Sequence, residues 1–159
     1  MAERLVHFLD ALARESDLLS RWFLKGNTRA SARTPLELDV GAVAFTLKVN
    51  RRDVGGEVIP ELGFSLGVWN GRTADVSATM GAYSRYVGNS VVLSFSHPPA
   101  NFGAKEWKSL VEIAVRELDP DHAVVTSSEY LRKTGAQDPW EAGWFIFRRG
   151  GTIDEHPFE

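Results

Sequence analysis

The chain has 159 residues, of which 43% are hydrophobic and 25% charged, and a formal net charge of −3. A chain of this size buries roughly two-thirds of the surface its unfolded form exposes, and its composition is that of a globular domain, which excludes disorder over most of its length. It has no cysteine, which excludes a disulfide framework, a thiolate metal site and a cysteine nucleophile and fits a reducing compartment.

In residues 2–23, Leu5, Val6, Leu9, Leu12, Leu18, Leu19, Trp22 and Phe23 recur at helical spacing with a break around Glu15 to Asp17. The pattern predicts one long or two short amphipathic helices. Acids among the apolar positions distinguish this segment from a signal peptide, so the mature chain is expected to start near Met1. After a polar loop, residues 36–49 fit two periods: Val43, Phe45, Leu47 and Val49 alternate as in a strand, whereas Val40, Val43, Ala44 and Leu47 match a helix capped by Asp39. Helix is the favoured reading. Residues 51–60, with Gly55, Gly56 and Pro60, form a turn-rich connection.

The period then changes to two. Leu62, Phe64, Leu66 and Val68, followed by Ala74, Val76, Ala78 and Met80, flank Asn70-Gly71 and predict a β-hairpin. Val91, Leu93 and Phe95 predict a third strand, stopped by Pro98-Pro99. Short links between sequential strands favour an antiparallel sheet. Residues 105–118 set Trp107, Leu110, Val111, Ala114, Val115 and Leu118 on one helical stripe, expected to pack on that sheet. Asp119-Pro120-Asp121 ends the helix, with Asp side chains capping nearby amides, and strands over 123–126 and 144–147 follow. The sequence thus predicts an α+β fold, an antiparallel sheet of about four to five strands with helices packed on it. One domain is expected over residues 1–150 and an acidic C-terminal tail over 151–159.

Gly63-Phe64-Ser65-Leu66-Gly67 matches the G-x-S-x-G pattern of a hydrolase nucleophile, but that chemistry needs a strand, a sharp turn and a helix, and here the alternation continues through Val68. Small residues on a sheet face, where a helix packs closely, are the preferred explanation. His7, His97, His122 and His156 lack the spacing of a zinc site. Asp119, Asp121 and His122 offer carboxylates and an imidazole within four residues, yet such a sequence more commonly makes a turn. No phosphate loop is present. Catalytic residues, cofactors and metal ligands are therefore not expected, and Trp69 and Trp144 are expected to be structural anchors. No apolar run reaches the roughly 20 residues that cross a bilayer, so no membrane partner is expected and a cytoplasmic location is.

Charge is uneven. Residues 1–80 hold ten acids and ten bases, whereas residues 81–159 hold eleven acids and eight bases. Within Glu106 to Glu141, eight acids face four bases. Such a stretch repels phosphate backbones and attracts a basic protein, which argues against direct nucleic-acid binding. Glu117, Asp119, Asp121, Glu129 and Glu141 are the candidate partner-binding residues.

Seven short stretches carry a family resemblance: Arg52-Asp53-Val54-Gly55-Gly56, Ile59 to Leu66, Trp69-Asn70-Gly71, Gly81, Asn89 to Leu93, Asp119 to Ala123, and Trp140-Glu141-Ala142-Gly143-Trp144. In this order they resemble the Imm52 immunity proteins of bacterial polymorphic toxin systems over about residues 1–150. The resemblance implies a small cytoplasmic protein, not an enzyme, that neutralises a cognate toxin, commonly a nuclease delivered by type VI secretion and encoded nearby. The competing readings are a small hydrolase using Ser65 or the Asp119, Asp121 and His122 cluster, and a chaperone or adaptor for a secreted effector.

Overall fold

The computed structural model describes residues 1–26, 28, 31–49, 53–83, 88–97, 99–136 and 142–157. The fold is α+β, with antiparallel sheets and helices packed on them, as the two periods predict. Contacts divide the chain into two units, Met1–Pro98 and Pro99–Glu159. No helix among the described residues is long and apolar enough to cross a membrane.

The first unit opens with α1, Ala2–Glu15, whose Leu5, Val6, Phe8, Leu9 and Leu12 are buried. Their spacing of three and four puts them on one stripe, and each full burial contributes about 1.5–3 kcal/mol. The helical spacing that runs on to Phe23 does not hold as a helix. Ser16 is extended (φ −150°), and its hydroxyl accepts from Leu18 N–H to start a 3-10 turn at Asp17–Leu19. Phe23–Leu24 is instead a strand, β1, joined antiparallel to Val68 and Trp69. Two strand residues are too few to display a period of two, so the sequence hid it.

The helix α2, Val40–Val49, begins where Asp39 Oδ1 accepts from Ala42 N–H at 3.0 Å. Val43 and Leu47 are buried while Phe45 between them is 69% exposed. A strand would have put all three on one face; a helix turns Phe45 away, which settles the ambiguous segment. α2 packs on α1 and on β4, Phe64–Trp69. Between α2 and β4, β2 (Asp53–Val54) and β3 (Glu57–Val58) form a small hairpin through Gly55 and Gly56, both at positive φ. This is the geometry that matches strand twist in a two-residue turn.

β4, β5 (Ala74–Met80) and β6 (Ser90–Phe95) complete a sheet in the order β1-β4-β5-β6. Leu66 pairs with Ala78, and Val68 with Val76, and all four are buried. The β4–β5 loop does not use Asn70 as a two-residue turn. Asn70 is 6% exposed, and its Oδ1 accepts from the N–H groups of Arg72, Thr73 and Ala74 while its Nδ2 donates to Leu18 O at 3.0 Å. One side chain thus fixes the loop and ties it to the chain leaving α1.

The second unit carries α3, Ala104–Leu118, then β7 (His122–Val125), α4 (Ser128–Thr134), β8 (Phe145–Arg148) and β9 (Ile153–Glu155). Within its own unit, α3 packs on β7 and β8. The buried residues of α3 are Leu110 and Val111 of the stripe together with Ile113, which the stripe left out. β7, β8 and β9 form their own antiparallel sheet in that order. The acidic segment after Arg149 enters this sheet as β9, with Ile153 opposite Phe147.

At the start of α3, the Glu106 carboxylate accepts from Gly103 N–H at 2.8 Å. That bond, then the N–H of Glu106 itself, holds the carboxyl below its ordinary range. A depressed folded pKa stabilises the fold above the unfolded value of about 4.3 and loses that contribution as pH falls through the folded value. The gap in urea midpoint between the native chain and Glu106→Gln is therefore expected to be wider near pH 7 than near pH 3. An equal gap at both would show that the charge contributes nothing.

Candidate partner-binding surface

The end of α3 shows why the acidic residues sit where they do. Asp119 adopts a left-handed conformation (φ 50°) and is the only non-glycine to do so among the described residues; its N–H bonds to Val115 O. Aspartate tolerates this conformation better than most side chains, and Pro120 after it cannot continue a helix. The turn is as read from the sequence, and one arginine reaches both aspartate side chains. Antiparallel pairing of β7 with β8 sets His122 opposite Arg148 and brings Arg149 across the turn.

Arg149 Nε meets Asp121 Oδ1 at 2.9 Å, its terminal nitrogen lies 3.5 Å from Asp119 Oδ1, and its N–H bonds to Asp121 O at 2.8 Å. Both carboxylates stay open to solvent, 57% for Asp119 and 80% for Asp121, so these pairs fix geometry more than they stabilise. Glu117 pairs with its neighbour Arg116 at 2.7 Å. Arg149 thus brings Asp119 and Asp121 together after the end of α3, while Glu117, in the last turn of that helix, pairs separately with Arg116. Arg149 was outside the acidic window counted along the sequence, and no local signal marks it, because only strand pairing delivers it.

Glu129 is not part of that group. It lies in the first turn of α4, where Ser127 Oγ accepts from Tyr130 N–H at 3.0 Å. The four residues of β7, roughly 13 Å of strand, separate it from Asp121. A carboxylate in a first turn also favours the helix dipole, which gives Glu129 a local role of its own. Glu141 lies outside the described residues.

Ser65 sits in mid-strand opposite Thr79, and β4 runs on to Trp69 without the sharp turn and helix that a nucleophile elbow needs. Its side chain is on the face opposite buried Leu66 and Val68. Gly67 beside it makes room for the stem of Lys25, not for a helix: an added Cβ would lie 3.1 Å from Lys25 Cδ. The Lys25 ammonium reaches Asp75 at 2.7 Å. Ser65→Ala is expected to cost about 1 kcal/mol or less in urea unfolding and to leave partner binding unchanged. Loss of binding with intact folding would reinstate Ser65 as a functional group.

Among the described residues, no three His, Asp or Glu side chains are placed to hold a metal ion. No protein-family model and no curated protein matches the chain. The resemblance-bearing glycines and asparagines do have visible physical roles. Gly63 touches the backbone of Met80 to Ala82, and Asn89 brackets Ala82 through both its N–H and its carbonyl. Gly143 leaves no space either, since an added Cβ would lie 2.4 Å from Val124 Cγ2 and 2.7 Å from Val125 O. Trp69 donates to Ala32 O at 2.6 Å, and Trp144 packs on Tyr130 with ring centroids 5.4 Å apart, both acting as anchors.

Proposed function

We propose that this protein binds and neutralises a cognate bacterial toxin, a nuclease-type effector of type VI secretion, in the cytoplasm. The observation that carries the reading is the partition of charge between the two units. Pro99–Glu159 holds eleven acids and seven bases, net −4, whereas Met1–Pro98 holds ten acids and eleven bases, net +1. The fold therefore concentrates negative charge in the unit whose Asp119 and Asp121 carboxylates are prepositioned yet exposed.

A nuclease presents basic surface to its phosphate substrate. An acidic protein that docks there is steered by the same field and excludes nucleic acid by occupying its site. The Imm52 resemblance supplies the class of partner. The test is co-expression with the toxin encoded by the neighbouring reading frame. Survival of the host and co-purification of a stoichiometric complex are expected. Death of the host with no complex would end this reading, and a complex that leaves the toxin active would make the protein an adaptor.

A further inference from the structure

β6 ends the four-stranded sheet of the first unit, and among the described residues no strand pairs with its outer edge. Its six residues, Ser90-Val91-Val92-Leu93-Ser94-Phe95, hold no charge, proline or glycine, and they pair with β5 without a bulge. Sheet edges are ordinarily guarded by such features, because their outward N–H and C=O groups recruit other strands. The opposite edge has that protection: β1 is two residues long and runs into Lys25. The hydrogen bonds fix which groups of β6 face outward. Asn70 N–H bonds to Ala74 O and Ser96 N–H to Thr73 O, so alternation along the ladders turns Val76 and Ala78 toward β4, and Ser90, Val92 and Ser94 toward β5. The N–H and C=O groups of Val91 and Leu93 therefore line the open edge. Cover runs out there as well. Ala74, Val76 and Ala78 of β5 are buried, whereas Phe95, Leu93 and Val91 opposite them are only half-buried, and Val92 on the other face is 52% exposed.

We propose that this edge pairs with the same edge of a second copy of the chain, joining two sheets into one across a two-fold axis. Self-complementarity selects that occupant. An antiparallel copy bonds only through outward-facing residues, which sets Val91 and Leu93 against Leu93 and Val91 of the copy and places Val92 on the axis. The core faces of the two sheets then coincide, and half-buried Val91 and Leu93 each gain an apolar neighbour. Exposed Val92 is covered by its own equivalent, at the close Cα spacing of about 4.5 Å that a non-hydrogen-bonded pair has. A neutral strand sets no like charges against each other, and it offers a basic toxin no electrostatic attraction. The acids assigned to the toxin lie in the second unit, so this dimer does not depend on the immunity reading.

Sedimentation equilibrium of the full chain is expected to show a reversible dimer, since one strand edge buries less than the roughly 1,200 Å² of a stable complex. Val92→Lys sets two ammonium groups face to face at the axis and is expected to raise the dimer Kd at least about tenfold. In amide exchange, Val91 and Leu93 are expected to become faster in that variant while Val92, bonded to β5, stays slow, which separates loss of the dimer from unfolding. The chain has no cysteine, so Val92→Cys gives an independent reading. Mild oxidation is expected to cross-link two copies of that variant, because Cα atoms about 4.5 Å apart suit a disulfide. Ser90→Cys lies on the same face, but its two copies are separated by roughly 13 Å of strand, and no cross-link is expected. A monomer at all concentrations up to about 1 mM, a Kd unchanged by Val92→Lys, or equal cross-linking of the two cysteine variants overturns the proposal. A monomer whose Val91 and Leu93 amides become protected only in a toxin complex also overturns it, and makes a toxin strand the occupant.

Discussion

Gly63→Ala is expected to remove about 3–5 kcal/mol of stability and to lower the melting temperature of the first unit by at least about 10 °C. Gly63 has φ +67° and ψ −149°, a region essentially reserved for glycine, where a Cβ costs about 1–3 kcal/mol on its own. The larger part is steric: the added carbon would lie 2.3 Å from Met80 O and 2.6 Å from Ala82 N. These are backbone atoms of the end of β5 and the residues after it, and they cannot rotate aside as a side chain would. The loss is a large share of a typical total stability of about 5–15 kcal/mol. Gly55→Ala is the matched control, because Gly55 is also at positive φ (+65°) but has nothing within 4 Å of the added carbon. That variant is expected to lose only about 1 kcal/mol. Thermal unfolding of both decides it: equal shifts would mean that backbone conformation alone, and not the close approach, accounts for Gly63.

Asn70→Ala has the second-largest expected effect, about 2–4 kcal/mol in urea unfolding. The change strands the N–H groups of Arg72, Thr73 and Ala74 and the carbonyl of Leu18. The cost comes mainly from polar groups left without partners at a site only 6% exposed. Asn70→Asp keeps the three acceptor contacts and loses only the donor to Leu18, so an intermediate loss is expected. A loss below about 1 kcal/mol for the alanine variant would show that solvent replaces the side chain.

The sequence made the long periodic elements legible because burial acts on many residues at once. The alternation over Leu62 to Met80 and the stripe over Trp107 to Leu118 became β4, β5 and α3. Short elements escaped for the opposite reason: β1 and β9 have two and three residues, and pairing with a neighbour, not local pattern, makes them strands. The hairpin signal at Asn70-Gly71 pointed to the right place, but the asparagine works through its side chain and not as a left-handed turn residue. For the candidate surface, counting acids along the chain located Glu117, Asp119 and Asp121 but overstated their net charge. Arg149 joins them only after β7 and β8 pair, since 27 residues of chain separate it from Asp121. The same counting grouped Glu129 with them, although β7 holds it away.

The central claim, that acidic surface on the second unit steers binding to a basic toxin, is tested most directly by the association rate of the purified pair at two salt concentrations. The native protein is compared with a Glu117→Lys and Asp121→Lys double variant. Neither change touches the residue that caps α3, which is Asp119, so the fold is expected to persist. Raising salt from about 0.05 M to about 0.5 M shortens the screening length from above 10 Å to below 5 Å. The account predicts that association slows on the order of tenfold while dissociation changes by less than about twofold, and that the double variant associates slowly at both salts. A complex whose association rate is indifferent to salt and to charge reversal would contradict it.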